Sequence, residues 1–219
     1  MNIPNALTLL RIFFVPFLVA VLVQDDAAYA VFGTLLSNEH AALLIFLAAA
    51  FTDMLDGYLA RRWNQITTVG MLLDPIADKL LISAALISLV QVHRVPGWMA
   101  VLIIGREFAV SGLRSIAASE GYTIQASELG KTKMVTQVLA IALILAAVEQ
   151  PWLAPYASAA LWGTMLFAMI SAADYVRKFW HKIDESIKER RRSELLKLEK
   201  DRQKTLMKAA SAAREEGSS

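Results

Sequence analysis

Four aspartates fall within one short stretch of this chain: Asp53 and Asp56 are three residues apart, and Asp74 and Asp78 are four apart. On a helix each pair shares a face, with its members within about 60° of one another. Between the pairs lie Arg61, Arg62, Asn64, Gln65 and Gly70. That is the composition of a polar turn joining antiparallel helices, which would bring both pairs to one place. Four carboxylates that close cannot all stay ionised without cations. Hard divalent ions such as Mg²⁺ take carboxylate oxygens, and two of them bridged by shared aspartates form a clamp for phosphoryl oxygens. The chemistry implied is two-metal phosphoryl transfer.

The elements that must carry these groups are apolar. Of the 219 residues 56% are hydrophobic and 19% charged, and the mean hydropathy is +0.46. Several apolar runs approach the ~20 residues needed to cross a bilayer. We read an all-α, polytopic membrane protein, a bundle of six transmembrane helices. It has an N-terminal interfacial helical segment and a charged cytoplasmic C-terminal tail. The spans are expected near residues 1–23, 41–62, 70–92, 98–118, 133–148 and 152–175. Residues 1–178 would form the membrane-embedded domain and 179–219 the tail. Cysteine is absent, so thiolate metal sites and disulfides are excluded. A formal net charge of +2 is too small to argue for nucleic acid. No internal repeat, Gly-rich phosphate loop or zinc motif is present. Ala28-Tyr29-Ala30 would pass as a signal-peptide cleavage site, but no Lys or Arg precedes Arg11.

Loop charges set the orientation. Arg61 and Arg62, then Arg114, Lys131 and Lys133, then Arg177, Lys178 and Lys182 fall on one side, while the other side holds Asp25, Asp26, Glu149 and Arg94. The positive side is cytoplasmic. Both termini and the acidic site then face the cytoplasm. Asp53 lies eight residues before Arg61 and so about 12 Å deep; Arg106 lies ten residues after Pro96, at about 15 Å. Ionisable groups at that depth cost at least about 2.5–3.5 kcal/mol each if they face lipid, so they should line the bundle interior. Asn5, Thr8 and Arg11 should likewise face polar contents. For Glu107 an ion pair with a nearby arginine weighs equally with a functional role. Arg106 and Arg114 favour a pocket for a second anionic group beside the metals.

The pattern Asp53-x2-Asp56-Gly57-x2-Ala60-Arg61-x8-Gly70-x3-Asp74-x3-Asp78 resembles the complete signature of the CDP-alcohol phosphatidyltransferase family, with no departure at its defining positions. A lone i, i+3 acidic pair would be weak, since it is most often a solvated face. The resemblance implies that an alcohol attacks the β-phosphorus of a CDP-linked diacylglycerol and releases CMP. It implies that Asp53, Asp56, Asp74 and Asp78 ligate two divalent cations, Mg²⁺ or Mn²⁺, and that Asp78 also takes the alcohol proton. CDP-diacylglycerol would meet Asn5, Thr8, Gly57, Ala60, Arg61 and Thr67. Gly57 would allow close approach of the nucleotide, where any Cβ would intrude.

Gly105-Arg-Glu-Phe-Ala-Val-Ser-Gly-Leu-Arg114, Ala126-Ser-x2-Gly130-Lys131-Thr-Lys133-x3-Gln137 and the opening Asn2-Ile-Pro-Asn5 resemble the bacterial branch of that family whose acceptor is glycerol 3-phosphate. Its dianion would give Arg106, Arg114, Lys131 and Lys133 a purpose. Membrane lipids and a second copy of the chain, as a homodimer, are the further partners expected. Other readings keep the chemistry with a different alcohol (inositol phosphate, serine or phosphatidylglycerol), or make the chain an intramembrane prenyltransferase, or make the acidic cluster the ion site of a cation transporter. A prenyltransferase would want a second acidic motif in a later helix, where only Asp174 is available. Arg61, Arg106 and Arg114 speak for a bound anion against the transporter. The tail, with eleven basic and eight acidic residues from His181 to Ser219, is expected to be helical and solvated, with some affinity for anionic headgroups.

Overall fold

The computed structural model describes residues 3–24, 29–31, 34–62, 68–119 and 129–216. Six α-helices account for nearly all of it: α1 (Ile3–Val23), α2 (Asn38–Arg62), α3 (Thr68–Gln91), α4 (Gly97–Ser119), α5 (Leu129–Ala146) and α6 (Ala154–Glu216). A single 3-10 turn, Pro151–Leu153, precedes α6. The only strands among the described residues are Tyr29–Val31 and Thr34–Leu36, an antiparallel pair with Tyr29 opposite Leu36. They lie in the α1–α2 connection, where the pattern of apolar runs predicts no regular element.

Runs of Leu, Ala, Ile and Val make these helices, because a chain with no water beside it must satisfy its N–H and C=O groups internally. Pro16 lies inside α1 and Pro75 inside α3. Pro75 removes a backbone donor between the two acids of α3. α3 ends in a tight cap: His93 adopts φ 58°, the Arg94 N–H donates to Leu89 O at 2.8 Å and the His93 N–H to Val90 O at 3.0 Å. These two bonds close the last carbonyls of the helix in the manner usually served by glycine. The turn leads the chain into α4.

The described chain divides into two compact units, residues 1–112 with 125–173, and residues 113–124 with 174–219. In the first, α1 packs along both α2 and α3, and α2 also meets α5. Its core holds Leu18, Phe46, Leu86, Met99, Ile141 and Leu161. The outside of this unit is as apolar as the inside: Phe13 is 75% exposed, Val101 69% and Ile170 64%. Its interior, conversely, buries Thr8, Arg11, Arg106, Gln137 and Ser171. Apolar surface outward with ionisable groups inward is the arrangement of a helical membrane protein.

Among the described residues, Asn5–Val23 and Pro151–Glu185 are long and apolar enough to cross a bilayer unaided. Charged residues interrupt the apolar runs of α2, α3 and α4. α1 is one continuous helix, Ile3–Val23, that includes the opening turns where the interfacial segment is expected. α6 runs unbroken from Ala154 to Glu216 and so includes residues of the tail, for which a helix is expected. In the second unit, i, i+4 pairs decorate this helix, Asp174–Lys178 and Asp184–Lys188, both at 2.6 Å. Their order, acid before base, suits the helix dipole, and the Asp184 carboxylate pushes the Lys188 ammonium above its ordinary range.

Candidate active site

Three helices of the first unit converge on one buried charge. Thr8 and Arg11 are three apart on α1, so both turn to the same side, and they are 1% and 0% exposed. Arg11 Nη1 donates to Asp78 on α3 at 2.6 Å and forms an ion pair with Asp53 on α2 at 2.7 Å. Asp53 and Asp78 keep 18% and 34% of their side-chain surface exposed, so the pair is closed by Arg11 on one side and open on the other. Next to Asp53, the Thr52 hydroxyl donates back to Ala49 O at 2.7 Å. That bond satisfies the hydroxyl within its own helix and leaves the Asp53 carboxylate to the cluster.

The donor set fits a hard divalent cation. Two carboxylate oxygens from different helices lie within hydrogen-bond distance of one nitrogen, hence close enough to share a small ion, and oxygen-only ligation is what Mg²⁺ and Mn²⁺ take. Asp56, Gly57, Ala60 and Arg61 lie on α2 and Asp74 on α3, but their side chains are outside the described residues, as is Thr67 altogether. Among the described residues no group of three or more His, Cys, Asp or Glu forms a metal cluster. Asn5 lies on α1, half-buried, two turns before Arg11.

A second polar cluster ties α4, α5 and α6 together within the same unit. Arg106 is 7% exposed; its Nη1 donates to Glu107 at 2.8 Å and its Nη2 to Ser171 at 2.7 Å. Gln137 Nε2 donates to the same Glu107 oxygen at 3.1 Å. The buried Arg106 Nε has no hydrogen-bond partner among the described residues. The ion-pair role weighed for Glu107 is thus present. Sequence reasoning missed Ser171 and the bridging role of Arg11. The signal for Arg11 was its helical spacing from Asn5 and Thr8, whereas a lone serine in α6 gave none.

Arg114 belongs to the second unit, where its guanidinium stands 6.0 Å from the centre of the Tyr175 ring. That distance suits a cation–π contact. Lys131 and Lys133 lie on α5, with side chains outside the described residues. A cavity of about 320 Å³, lined by His93, Arg94, Met99, Leu161 and Trp162 among others, contains none of the expected site residues.

A family model described as CDP-alcohol phosphatidyltransferase matches residues 1–170. A Bacillus subtilis (strain 168) protein named "CDP-diacylglycerol--glycerol-3-phosphate 3-phosphatidyltransferase" is 40% identical over 190 residues, 84% of this chain and 98% of its own length. Proteins of the same name from Escherichia coli (strain K12) and Rickettsia bellii (strain RML369-C) are 40% and 37% identical over 149 and 144 residues. Each match covers 66% of this chain, and 76% and 75% of the respective relative. With its aspartate signature intact and the match running through five of its helices into the sixth, the chain belongs to the CDP-alcohol phosphatidyltransferase family.

Proposed function

We propose that the chain transfers the phosphatidyl group of CDP-diacylglycerol to sn-glycerol 3-phosphate, giving phosphatidylglycerophosphate and CMP. The observation that carries this reading is the meeting of Asp53 and Asp78, from separate helices, at one buried point inside an apolar bundle. The family and the three named relatives support the substrates.

Asp53, Asp56, Asp74 and Asp78 would hold two divalent cations, Mg²⁺ or Mn²⁺. Bound there, they would supply Lewis-acid polarisation of the phosphoryl oxygens and stabilisation of departing CMP. The chain's own residues do the rest. Asp78, the more exposed of the two described carboxylates, accepts the proton of the attacking hydroxyl at its carboxylate oxygen. Arg61 pairs with the diphosphate, and Asn5, Thr8 and Thr67 add polar contacts to the CDP-lipid. Gly57 and Ala60 keep side-chain bulk away from the nucleotide. Arg106, held by Glu107 and Ser171, keeps its Nε–H for the acceptor phosphate, with Lys131 and Lys133 as the further cations of that pocket.

The six helices span the membrane with both termini and the site at the cytoplasmic face, following the distribution of basic loops. The protein acts as a homodimer in a bacterial inner membrane, and the end of α6 is a solvated tail. Purified protein given CDP-diacylglycerol and a panel of alcohols tests the reading: CMP release should require glycerol 3-phosphate and stop in excess chelator. Release with inositol phosphate, serine or phosphatidylglycerol instead would move the acceptor. Cation flux without CMP release would make the chain a transporter.

A further inference from the structure

Arg11 is the most completely buried charged residue described, and one of its nitrogens touches carboxylates of two other helices, at 2.7 Å on Asp53 and 2.6 Å on Asp78. A guanidinium with no solvent contact is tolerable only with such partners. The converse holds as well: Asp53 and Asp78 repel one another unless a cation stands between them. The packing explains why α1 carries that cation. α1 lies along both α2 and α3, while α2 and α3 touch each other far less, so a group on α1 is the one placed to reach both acids. The positive charge thus sits on the carboxylate oxygens that the proposed metal site uses.

We propose that Arg11 is the built-in counter-cation of the acidic site. It holds Asp53 and Asp78 together when no metal is bound, and it competes with divalent cations for their oxygens. The inference rests on the reading of these aspartates as metal ligands and adds a role for a residue outside that ligand set. Arg11 is a positioning residue: it acts through the two carboxylates. Metal affinity in this protein is therefore a difference, coordination gained minus a guanidinium pair given up. A group that lowers affinity while stabilising the metal-free fold keeps the site assembled and exchangeable in a membrane interior where four unpaired acids would not stay together.

Two variants of the full chain separate this from a purely structural role. Arg11→Gln removes the competitor and leaves the two acids uncompensated. Arg11→Lys keeps a charge that can reach both acids through a single ammonium but loses the rigid fork. The measurements are Mn²⁺ affinity, from the electron paramagnetic resonance signal of free Mn²⁺, and melting temperature in chelator and in saturating Mn²⁺, all in detergent. Arg11→Gln should bind Mn²⁺ about 10- to 100-fold more tightly, the factor expected when a charged hydrogen bond no longer competes. Its melting temperature should fall by roughly 10 °C in chelator and recover most of that loss in Mn²⁺. Arg11→Lys should be intermediate in both measures.

Unchanged or weaker Mn²⁺ binding by Arg11→Gln, or an equal loss of melting temperature with and without metal, would overturn the inference. Arg11→Gln that can be purified only with Mn²⁺ present would support it. If Arg11→Gln does not fold in either condition, Arg11→Lys decides by the same two measurements. Wild-type protein that binds no Mn²⁺ would instead remove the metal reading itself.

Discussion

Arg106 and Glu107 offer a case in which structure and function can be separated by one cycle of variants. The pair is held at 2.8 Å, with side chains 5% and 14% exposed, and Ser171 and Gln137 hold the two ends. Arg106→Gln leaves the Glu107 carboxylate with the Gln137 amide but no guanidinium, and Glu107→Gln leaves a buried guanidinium without its counter-charge. Breaking a buried pair from one side costs about 3–5 kcal/mol. For a chain of this size each such change should lower the melting temperature by roughly 6–20 °C. The double variant removes both charges and leaves two amides that can bond each other, so it should recover at least about 2 kcal/mol relative to the sum of the single losses.

Acceptor kinetics read the other half. If Arg106 holds the acceptor phosphate, the double variant regains stability and still shows a glycerol 3-phosphate KM raised about 10- to 100-fold, the equivalent of one charged hydrogen bond lost uniformly from ground and transition states. The KM for CDP-diacylglycerol should not change. Thermal unfolding in detergent and CMP release at varied acceptor concentration are the two assays. Additive stability losses would refute the coupling of the pair. A normal acceptor KM in the stable double variant would take Arg106 out of the acceptor pocket, and a rise confined to the lipid-substrate KM would move it to the diphosphate.

Other expectations follow from the same groups. Asp78→Asn should abolish turnover and largely preserve CDP-lipid binding, because the amide oxygen can still accept from Arg11 but cannot take the acceptor proton; near-normal CMP release would sink the base assignment. Ser171→Ala should raise the acceptor KM by up to about tenfold, with Thr at that position restoring it; a lowered melting temperature with unchanged KM would leave Ser171 a purely structural role. Lys131→Gln should raise the acceptor KM as Arg106→Gln does but more weakly, since a flexible ammonium at the cytoplasmic mouth is better screened; rates independent of it would exclude it. Deleting residues 181–219 should leave folding and CMP release mostly intact, as no site residue lies beyond Ser171; loss of activity in equally monodisperse protein would show otherwise.

What the sequence by itself determined is what spacing and composition encode locally. Apolar runs of helix formers with few charges give helices, and the bounds of the described ones could largely be read within a few residues, α2 at 38–62 against 41–62 expected. Three- and four-residue spacing put each aspartate pair on one face before any fold was known. The short strands at Tyr29 and Thr34 were hidden in a connection too brief for a periodic signal. The helical tail expected after position 178 is one helix with the last apolar run, because mixed charge at i, i+4 sustains a helix as well as apolar residues do.

Partnership was decided by tertiary structure alone. Arg11 lies 67 positions from Asp78, and Arg106 lies 65 from Ser171. The sequence required Arg11 to avoid lipid, yet many polar groups of an inward face would have met that requirement equally. Only the packing of α1 against α2 and α3 chose Asp53 and Asp78. Glu107 was balanced between ion pair and function until α4, α5 and α6 set Arg106, Gln137 and Ser171 around it. The reason is physical: burial cost depends on a residue's own chemistry and can be read from its type. The charge that offsets this cost comes from another helix, at a distance the chain's local periodicity does not specify.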